Sequence, residues 1–334
     1  MLFLMLKWYG FKYTLIKDLL GDYMKVVLSA RNFCFEGCRA KELLEENGFE
    51  VVDISNRKFD NENEYAAALC DADIIINGFE KMSTAVIENC KKLKLISIRG
   101  VGYDYIDVEA CKRKNIAVLR TVGTVGEAVS EQVIAYIMHF ARQIETLNSC
   151  MQQDSWNRIM TEGAYGKTIG IIGFGEIGSA VARKANALGM KIVYNCKSKK
   201  DNPYEFMELS ELLKISDYVV LALPLNSETE GIIDEKALSL MKQNAVLINV
   251  ARAKIVDEKA LRNAVDNGVI KGAAVDVFES EPCTNSVLKG SESILLTPHT
   301  APFTKSNFNM MNTLASENVI NFFSGNLDEK YRLI

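Results

Sequence analysis

Three residues in the second half of this 334-residue chain have the side chains that carbonyl reduction requires: Arg252, Glu281 and His299. Two-electron reduction of a carbonyl needs a hydride donor, a proton donor that titrates near neutrality, and a cation that fixes and polarises the substrate. His299 can serve as acid/base, Glu281 as the carboxylate partner that favours its imidazolium, and Arg252 as a planar clamp on a carboxylate and a carbonyl. Taken singly, each has a plainer reading: a surface ion-pair residue, a solvated loop acid, a capping histidine. Their positions join them. Arg252 follows the strand-like run Ala245–Val250, Glu281 lies in the loop after Gly272–Val277 and its acidic residue Asp276, and His299 closes the run Ile294–Leu296 within Thr297-Pro-His-Thr300. Open α/β sheets place ligands at the carboxyl ends of their strands, so three successive strand ends bearing these residue types predict a site.

A second pattern points to the hydride donor. Thr168–Ile172 is strand-like and leads directly into Gly173, Gly175 and Gly178 in G-x-G-x-x-G spacing. Ile177, Val181, Ala185 and Leu188 then recur at helical spacing until Gly189, and Lys191–Tyr194 reads as a second strand. Strand, glycine turn, helix and strand in that order predict a dinucleotide-binding unit. Gly173 permits the tight turn, Gly175 lets the backbone approach a pyrophosphate, and Gly178 lets the helix pack closely on the strand. The pyrophosphate is expected on the amides that open the helix, at Glu176 and Ile177.

The surrounding elements fit that role. From Met24 to Val122, short apolar strands (Val26–Leu28, Val51–Val52, Asp73–Ile76, Leu95–Ile98, Ala117–Leu119) alternate with amphipathic helices near Arg39–Asn47 and Glu62–Leu69. Such alternation predicts a parallel, doubly wound sheet. Further strands are expected at Tyr218–Leu223 and at the three runs named above. Between the two sets, Val125–Ile144 reads as one long helix, apolar at Val129, Val133, Ala135, Tyr136, Ile137, Phe140 and Ile144. A helix this apolar is expected to be buried between domains or in a subunit contact, hence a homodimer through residues 125–144. Because the glycine turn sits in mid-chain, the dinucleotide-binding domain (124–299) is expected to be inserted into a substrate domain formed by 24–123 and 300–334. Residues 1–23 are read as an extension outside the fold. Their apolar start is broken by Lys7 and lacks a small-residue cleavage site, which fits neither a signal peptide nor a membrane span.

Six ordered stretches resemble the D-isomer-specific 2-hydroxyacid dehydrogenase family: Arg99-Gly-Val-Gly-Tyr-Asp-Tyr-Ile-Asp107, Gly170–Gly178, Leu223–Thr229, Asn249-Val-Ala-Arg252, Asp276-Val-Phe-Glu-Ser-Glu-Pro282 and Thr297-Pro-His-Thr-Ala301. The similarity runs from about Met24 to the C-terminus. It implies a Rossmann domain inserted into a flavodoxin-like domain, and nicotinamide-linked interconversion of a small 2-oxo acid and its (R)-2-hydroxy acid. It also implies catalytic roles for Arg252, Glu281 and His299, a nicotinamide contact at Asp276, cofactor contacts at Leu223, Pro224, Thr229 and Val250, and substrate-carboxylate binding by the amides of Val101 and Gly102. The loop Asn77-Gly-Phe-Glu-Lys81 is expected near the substrate's side chain through Asn77 and Gly78. It contains no arginine to grip a phosphate, so glyoxylate, hydroxypyruvate or a lactate-like acid is expected rather than phosphoglycerate. A dinucleotide-sensing corepressor of the same fold is the alternative; Arg252, Glu281 and His299 favour the enzyme.

The chain departs from the family pattern twice. Ala253 stands where a glycine usually follows the catalytic arginine. Asn195 stands where NAD-preferring members carry an aspartate on the ribose hydroxyls. Without that carboxylate to repel a 2′-phosphate, and with Lys197, Ser198, Lys199 and Lys200 following, the turn favours NADP(H); NAD(H) held through Asn195 is the other possibility. Composition sets bounds as well. Lysine plus arginine number 39 against 43 acids, a net charge of -4 with no long basic run, which argues against a nucleic-acid partner. Eight scattered cysteines and two histidines suggest a reduced, cytoplasmic protein without a metal site; His139, on the long helix, reads as a packed or surface histidine.

Overall fold

The computed structural model describes residues 23–35 and 37–334. The extension expected over residues 1–23 lies, apart from Tyr23, outside the described residues. The chain forms two compact units. One comprises the described chain up to Thr124 together with Thr304–Ile334; the other is Val125–Phe303, inserted between those segments. Thr300–Phe303, expected with the first unit, belong to the second, where the backbone amides of Thr300 and Ala301 are bound by Asp276.

In the first unit, β1 (Lys25–Leu28), β2 (Glu50–Asp53), β3 (Ile74–Asn77), β4 (Leu95–Ile98) and β5 (Ala117–Arg120) form one parallel sheet in the order β2-β1-β3-β4-β5. This is the flavodoxin-like winding. Helices α1 (Ala40–Glu46), α2 (Glu62–Leu69), α3 (Thr84–Asn89) and α4 (Val108–Arg113) provide the crossovers. The inner strands β1, β3 and β4 are largely apolar and buried because both faces are covered, as a parallel sheet requires, whereas the edge strand β2 is only half-buried. Val27, Ile75, Ile96 and Val118 pack with Leu69, Val86 and Ile87 on one face, while Val26, Leu28, Ile74, Ile76 and Leu95 pack with Leu44, Ala315 and Val319 on the other. Ala315 and Val319 belong to the C-terminal helix Lys305–Ser324, which Asn312 and Ser316 tie to the carbonyls of Phe33 and Ala40.

The second unit begins with α5 (Gly126–Arg142), which stops at Gln143 in a left-handed conformation; α6 (Ile144–Gln152) then starts in a new direction. The single helix expected through Ile144 is thus two. Its apolar face is also covered differently from the expectation: Val129, Val133, Tyr136, Ile137 and Phe140 pack inside their own unit against Ile169, Ile171, Val181 and Ala185. Strands β6 (Thr168–Ile172), β7 (Lys191–Asn195), β8 (Glu205–Phe206), β9 (Tyr218–Leu221), β10 (Val246–Asn249), β11 (Gly272–Val275) and β12 (Ile294–Leu296) form a parallel sheet in the order β12-β11-β10-β9-β6-β7-β8. Its helices are α7 (Glu176–Ala187), α8 (Leu209–Ile215), α9 (Glu235–Leu240) and α10 (Glu258–Asp266). The strand order reverses at β6, beside β9, which gives the Rossmann winding with a seventh strand and puts the topological switch point after those two strands. Among the described residues, no helix is long and apolar enough to cross a membrane.

Candidate active site

The glycine turn between β6 and α7 has the geometry its spacing predicts. Gly173 has φ +94°, and a Cβ there would lie 2.3 Å from the Ala222 carbonyl oxygen of the neighbouring strand's exit. A Cβ on Gly178 would lie 2.1 Å from the Gly173 oxygen. Both positions exclude a side chain because backbone meets backbone. Gly175 differs: a Cβ there meets nothing within 4 Å. Gly175 also N-caps α7 with no side-chain hydrogen bond. An open cradle at an uncapped helix N-terminus, on the switch point, fits a pyrophosphate.

Around that turn, Glu176 accepts the Gly126 amide at 2.7 Å, so its carboxylate caps the N-terminus of α5. Asn195 donates through Nδ2 to the Met207 carbonyl at 2.7 Å, while its own carbonyl accepts the Gly173 amide. Lys197 is 87% exposed and pairs loosely with Glu228 at 3.5 Å, and Ser198, Lys199 and Lys200 are exposed beside it. Leu223 and Pro224 follow β9 at the switch point, where the Thr229 hydroxyl donates to the Pro224 carbonyl at 2.7 Å and closes the turn. Val250 is buried with its side chain in the core beneath α5, leaving its backbone at the strand exit.

The three reactive side chains stand after consecutive strands β10, β11 and β12. His299 Nδ1 lies 2.8 Å from Glu281 Oε2, and Glu281 Oε1 accepts the Phe278 amide at 3.0 Å. Burial pushes the Glu281 carboxyl up, but the hydrogen bond and charge of His299, with smaller help from the Phe278 amide and Arg252, hold it below the usual carboxylate range. Arg252 is half-buried in extended backbone; Asn249 supports it by donating to the Arg252 carbonyl at 3.0 Å and accepting the Ala251 amide. Ala253 opens a short 3-10 turn at ordinary negative φ, so the alanine costs the local backbone nothing. Asp276 is 1% exposed, and its carboxylate accepts from Thr297 and from the amides of Thr300 and Ala301. That engagement is invisible in the sequence, as is the hydroxyl of Tyr136 beside it.

In the first unit, the loop after β4 carries Val101 and Gly102. Their backbone N–H groups find no acceptor among the described residues, while Gly100 beside them is bound to Thr121. Two adjacent donors without partners suit a carboxylate. Asn77 turns inward: it is fully buried, accepts from Ser29 and Tyr65, and donates to the Glu80 carbonyl. Its side chain therefore shapes the loop rather than facing outward, and Gly78 is buried beside it, where a Cβ would lie 3.2 Å from the Ala30 Cα. The reading of loop 77–81 as lacking an arginine misses a neighbour from another strand, because Arg31, after β1, pairs with Glu80 at 3.7 Å. His139 sits at the end of α5 against Phe140, 3.8 Å from Glu145. Among the described residues, no group of three or more His, Cys, Asp or Glu is placed to hold a metal ion.

Residues 134–301 match the family described as D-isomer specific 2-hydroxyacid dehydrogenase, NAD binding domain. The glyoxylate reductase of Pyrococcus furiosus is 37% identical over 262 residues, covering 74% of this chain and 78% of that protein. Among solved structures, D-lactate dehydrogenase from Aquifex aeolicus, complexed with NAD and lactic acid, superposes with a TM-score of 0.81 at 26% identity, over 92% of this chain and 98% of that one. The NADPH-dependent glyoxylate/hydroxypyruvate reductase of Sinorhizobium meliloti, complexed with NADP and malonate, has a TM-score of 0.78 at 27% identity, over 91% and 94%.

Proposed function

Because the chain belongs to the D-isomer specific 2-hydroxyacid dehydrogenase family, and is thus an oxidoreductase for nicotinamide-linked reduction of 2-oxo acids, we propose that it reduces glyoxylate or hydroxypyruvate, with NADP(H) preferred over NAD(H). The observation that carries the reading is the His299–Glu281 pair, 2.8 Å apart at the end of consecutive strands. Glu281 engages Nδ1 and fixes the ring, so Nε2 is the atom that delivers the proton to the substrate oxygen and withdraws it in the reverse direction. Arg252 clamps the substrate carboxylate and polarises the carbonyl with its planar fork. Within the first unit, the adjacent amides of Val101 and Gly102 are suited to bind a carboxylate, the role the family resemblance implies for them. When bound, the nicotinamide supplies or accepts the two electrons as hydride. Gly173, Gly175, Glu176, Ile177 and Gly178 hold its pyrophosphate, Leu223, Pro224, Thr229 and the Val250 backbone line its path, and Asn195, Lys197 and Ser198 meet the ribose and its phosphate. The lack of a carboxylate at Asn195 and the exposed lysine turn support NADP(H).

The test is cofactor oxidation with glyoxylate, hydroxypyruvate and pyruvate, each with NADPH and NADH. Turnover fastest with glyoxylate or hydroxypyruvate and NADPH is expected. Tight cofactor binding without turnover on any acid would overturn the enzymatic reading and favour a dinucleotide-sensing protein.

A further inference from the structure

His299 has φ +52°, a left-handed conformation that non-glycine residues seldom adopt. Such a backbone persists where its surroundings over-determine it. Here one carboxylate does much of that work. Asp276 accepts the Thr300 amide on Oδ1 at 2.9 Å and the Ala301 amide on Oδ2 at 2.9 Å, immediately after the histidine. Two residues before it, the Thr297 hydroxyl donates to Oδ1 at 2.5 Å. The short segment bearing His299 is thus pinned on both sides to a side chain that is 1% exposed.

The network extends to α5. Tyr136 Oη lies 2.5 Å from Thr297 Oγ1 and 3.4 Å from Asp276 Oδ1. A carboxylate only accepts, so the threonine proton goes to Asp276 and the tyrosine proton to the threonine oxygen. Burial, and then the charge of Asp276, push the Tyr136 hydroxyl up to about 12, which keeps it a donor. Tyr136 is 2% exposed and 161 residues from Thr297. Its ring packs in the core of the second unit, so its hydroxyl is held from behind by helix packing.

We propose that Tyr136 and Thr297, acting through Asp276, are positioning residues that set the backbone and ring of His299 for proton transfer. The proposal rests on the assignment of His299 as acid/base, and it gives Asp276 a role separate from any contact with the nicotinamide. Since small displacements of a reacting group lower rates strongly, Tyr136→Phe and Thr297→Val should each lower kcat about tenfold.

The experiment measures kcat, substrate KM and cofactor Kd by fluorescence titration for Tyr136→Phe, Thr297→Val, Thr297→Ser and His299→Ala, and for Tyr136→Phe combined with His299→Ala. Expected are a loss in kcat with cofactor Kd within about twofold of wild type, recovery of most of the rate in Thr297→Ser, and no further loss when Tyr136→Phe is added to His299→Ala. A Tyr136→Phe variant with wild-type kcat overturns the proposal. So does an equal loss of rate and cofactor affinity, or the same fold loss in the His299→Ala background, since the network would then act on the cofactor or the fold. Wild-type turnover in His299→Ala would instead remove the acid/base assignment itself. The threonine pair keeps the test decisive should Tyr136→Phe not fold.

Discussion

At the scale of single residues, the site is a set of charges whose partners decide what each can do. His299→Ala should lower kcat by about 100-fold or more, because general acid catalysis contributes on the order of 10² to 10⁴, with cofactor affinity little changed. Near-normal turnover in stopped-flow reduction would show that another group supplies the proton. Arg252→Lys should raise substrate KM and lower kcat together, because lysine keeps the charge but not the two-pronged geometry; an active lysine variant would make the arginine a point charge. Glu281 predicts a pH dependence of stability. Its carboxyl is held below the usual range, chiefly against burial by the His299 hydrogen bond and charge, so the pair stabilises the folded state fully above the ordinary carboxylate value of about 4.3. That contribution is lost as pH falls through the lowered value. Thermal melts of Glu281→Gln should therefore decline less steeply than wild type as pH falls below about 5; parallel curves would show that the carboxylate is not coupled in the folded state.

At the scale of elements, the β6–α7 turn separates packing from binding. A methyl group on Gly178 would collide with the Gly173 carbonyl, whereas one on Gly175 meets nothing. Gly178→Ala should thus cost about 1–3 kcal/mol in denaturant unfolding. Gly175→Ala, at negative φ, should change stability by less than about 1 kcal/mol yet weaken cofactor binding about tenfold or more. Equal binding in Gly175→Ala would show that no pyrophosphate approaches the turn. The β7 end tests cofactor choice. Asn195→Asp puts a carboxylate where a 2′-phosphate would sit, and should move the kcat/KM ratio toward NAD(H) by about tenfold, a difference of about 1.4 kcal/mol. It also replaces the donor to the Met207 carbonyl with an acceptor, so Lys197→Ala, which leaves that bond intact, should push the same way more weakly. A wild type that already prefers NAD(H), unmoved by either change, would refute the NADP(H) assignment.

At the scale of the whole molecule, the apolar face of α5 is satisfied within its own unit, so we propose that a homodimer would draw on exposed apolar residues. The stretch that follows α5 supplies them: Ile144 is 64% exposed, Met151 51%, Trp156 75%, Met160 95% and Tyr165 85%. Exposed apolar side chains recurring along one segment suit an association surface. A dimer through residues 144–165 is expected in sedimentation equilibrium, and Trp156→Ser with Met160→Asp should yield a monomer that retains its fold by circular dichroism. A wild-type monomer at micromolar concentration would remove the dimer.

What the sequence determined by itself was local. The glycine turn, the strands and the residue types at strand ends follow from a few neighbouring residues and the two periodicities of helix and strand, and the sheet classes follow from their alternation. The short helices Thr84–Asn89, Val108–Arg113 and Glu235–Leu240 escaped because one or two turns show little periodicity, although Ser83, Asp107 and Asp234 cap them as such residue types should. Tertiary structure decided what each side chain meets. Tyr136 reads as one more apolar position on a helix, Asn77 as a loop residue facing substrate, and loop 77–81 as lacking an arginine. Strand order brings Thr297 and Asp276 to that tyrosine, turns Asn77 onto Ser29 and Tyr65, and sets Arg31 against Glu80. Those partners are separated by 12 to 161 residues, and a buried hydroxyl or amide finds its partner only through the order in which strands pair, which no local pattern encodes.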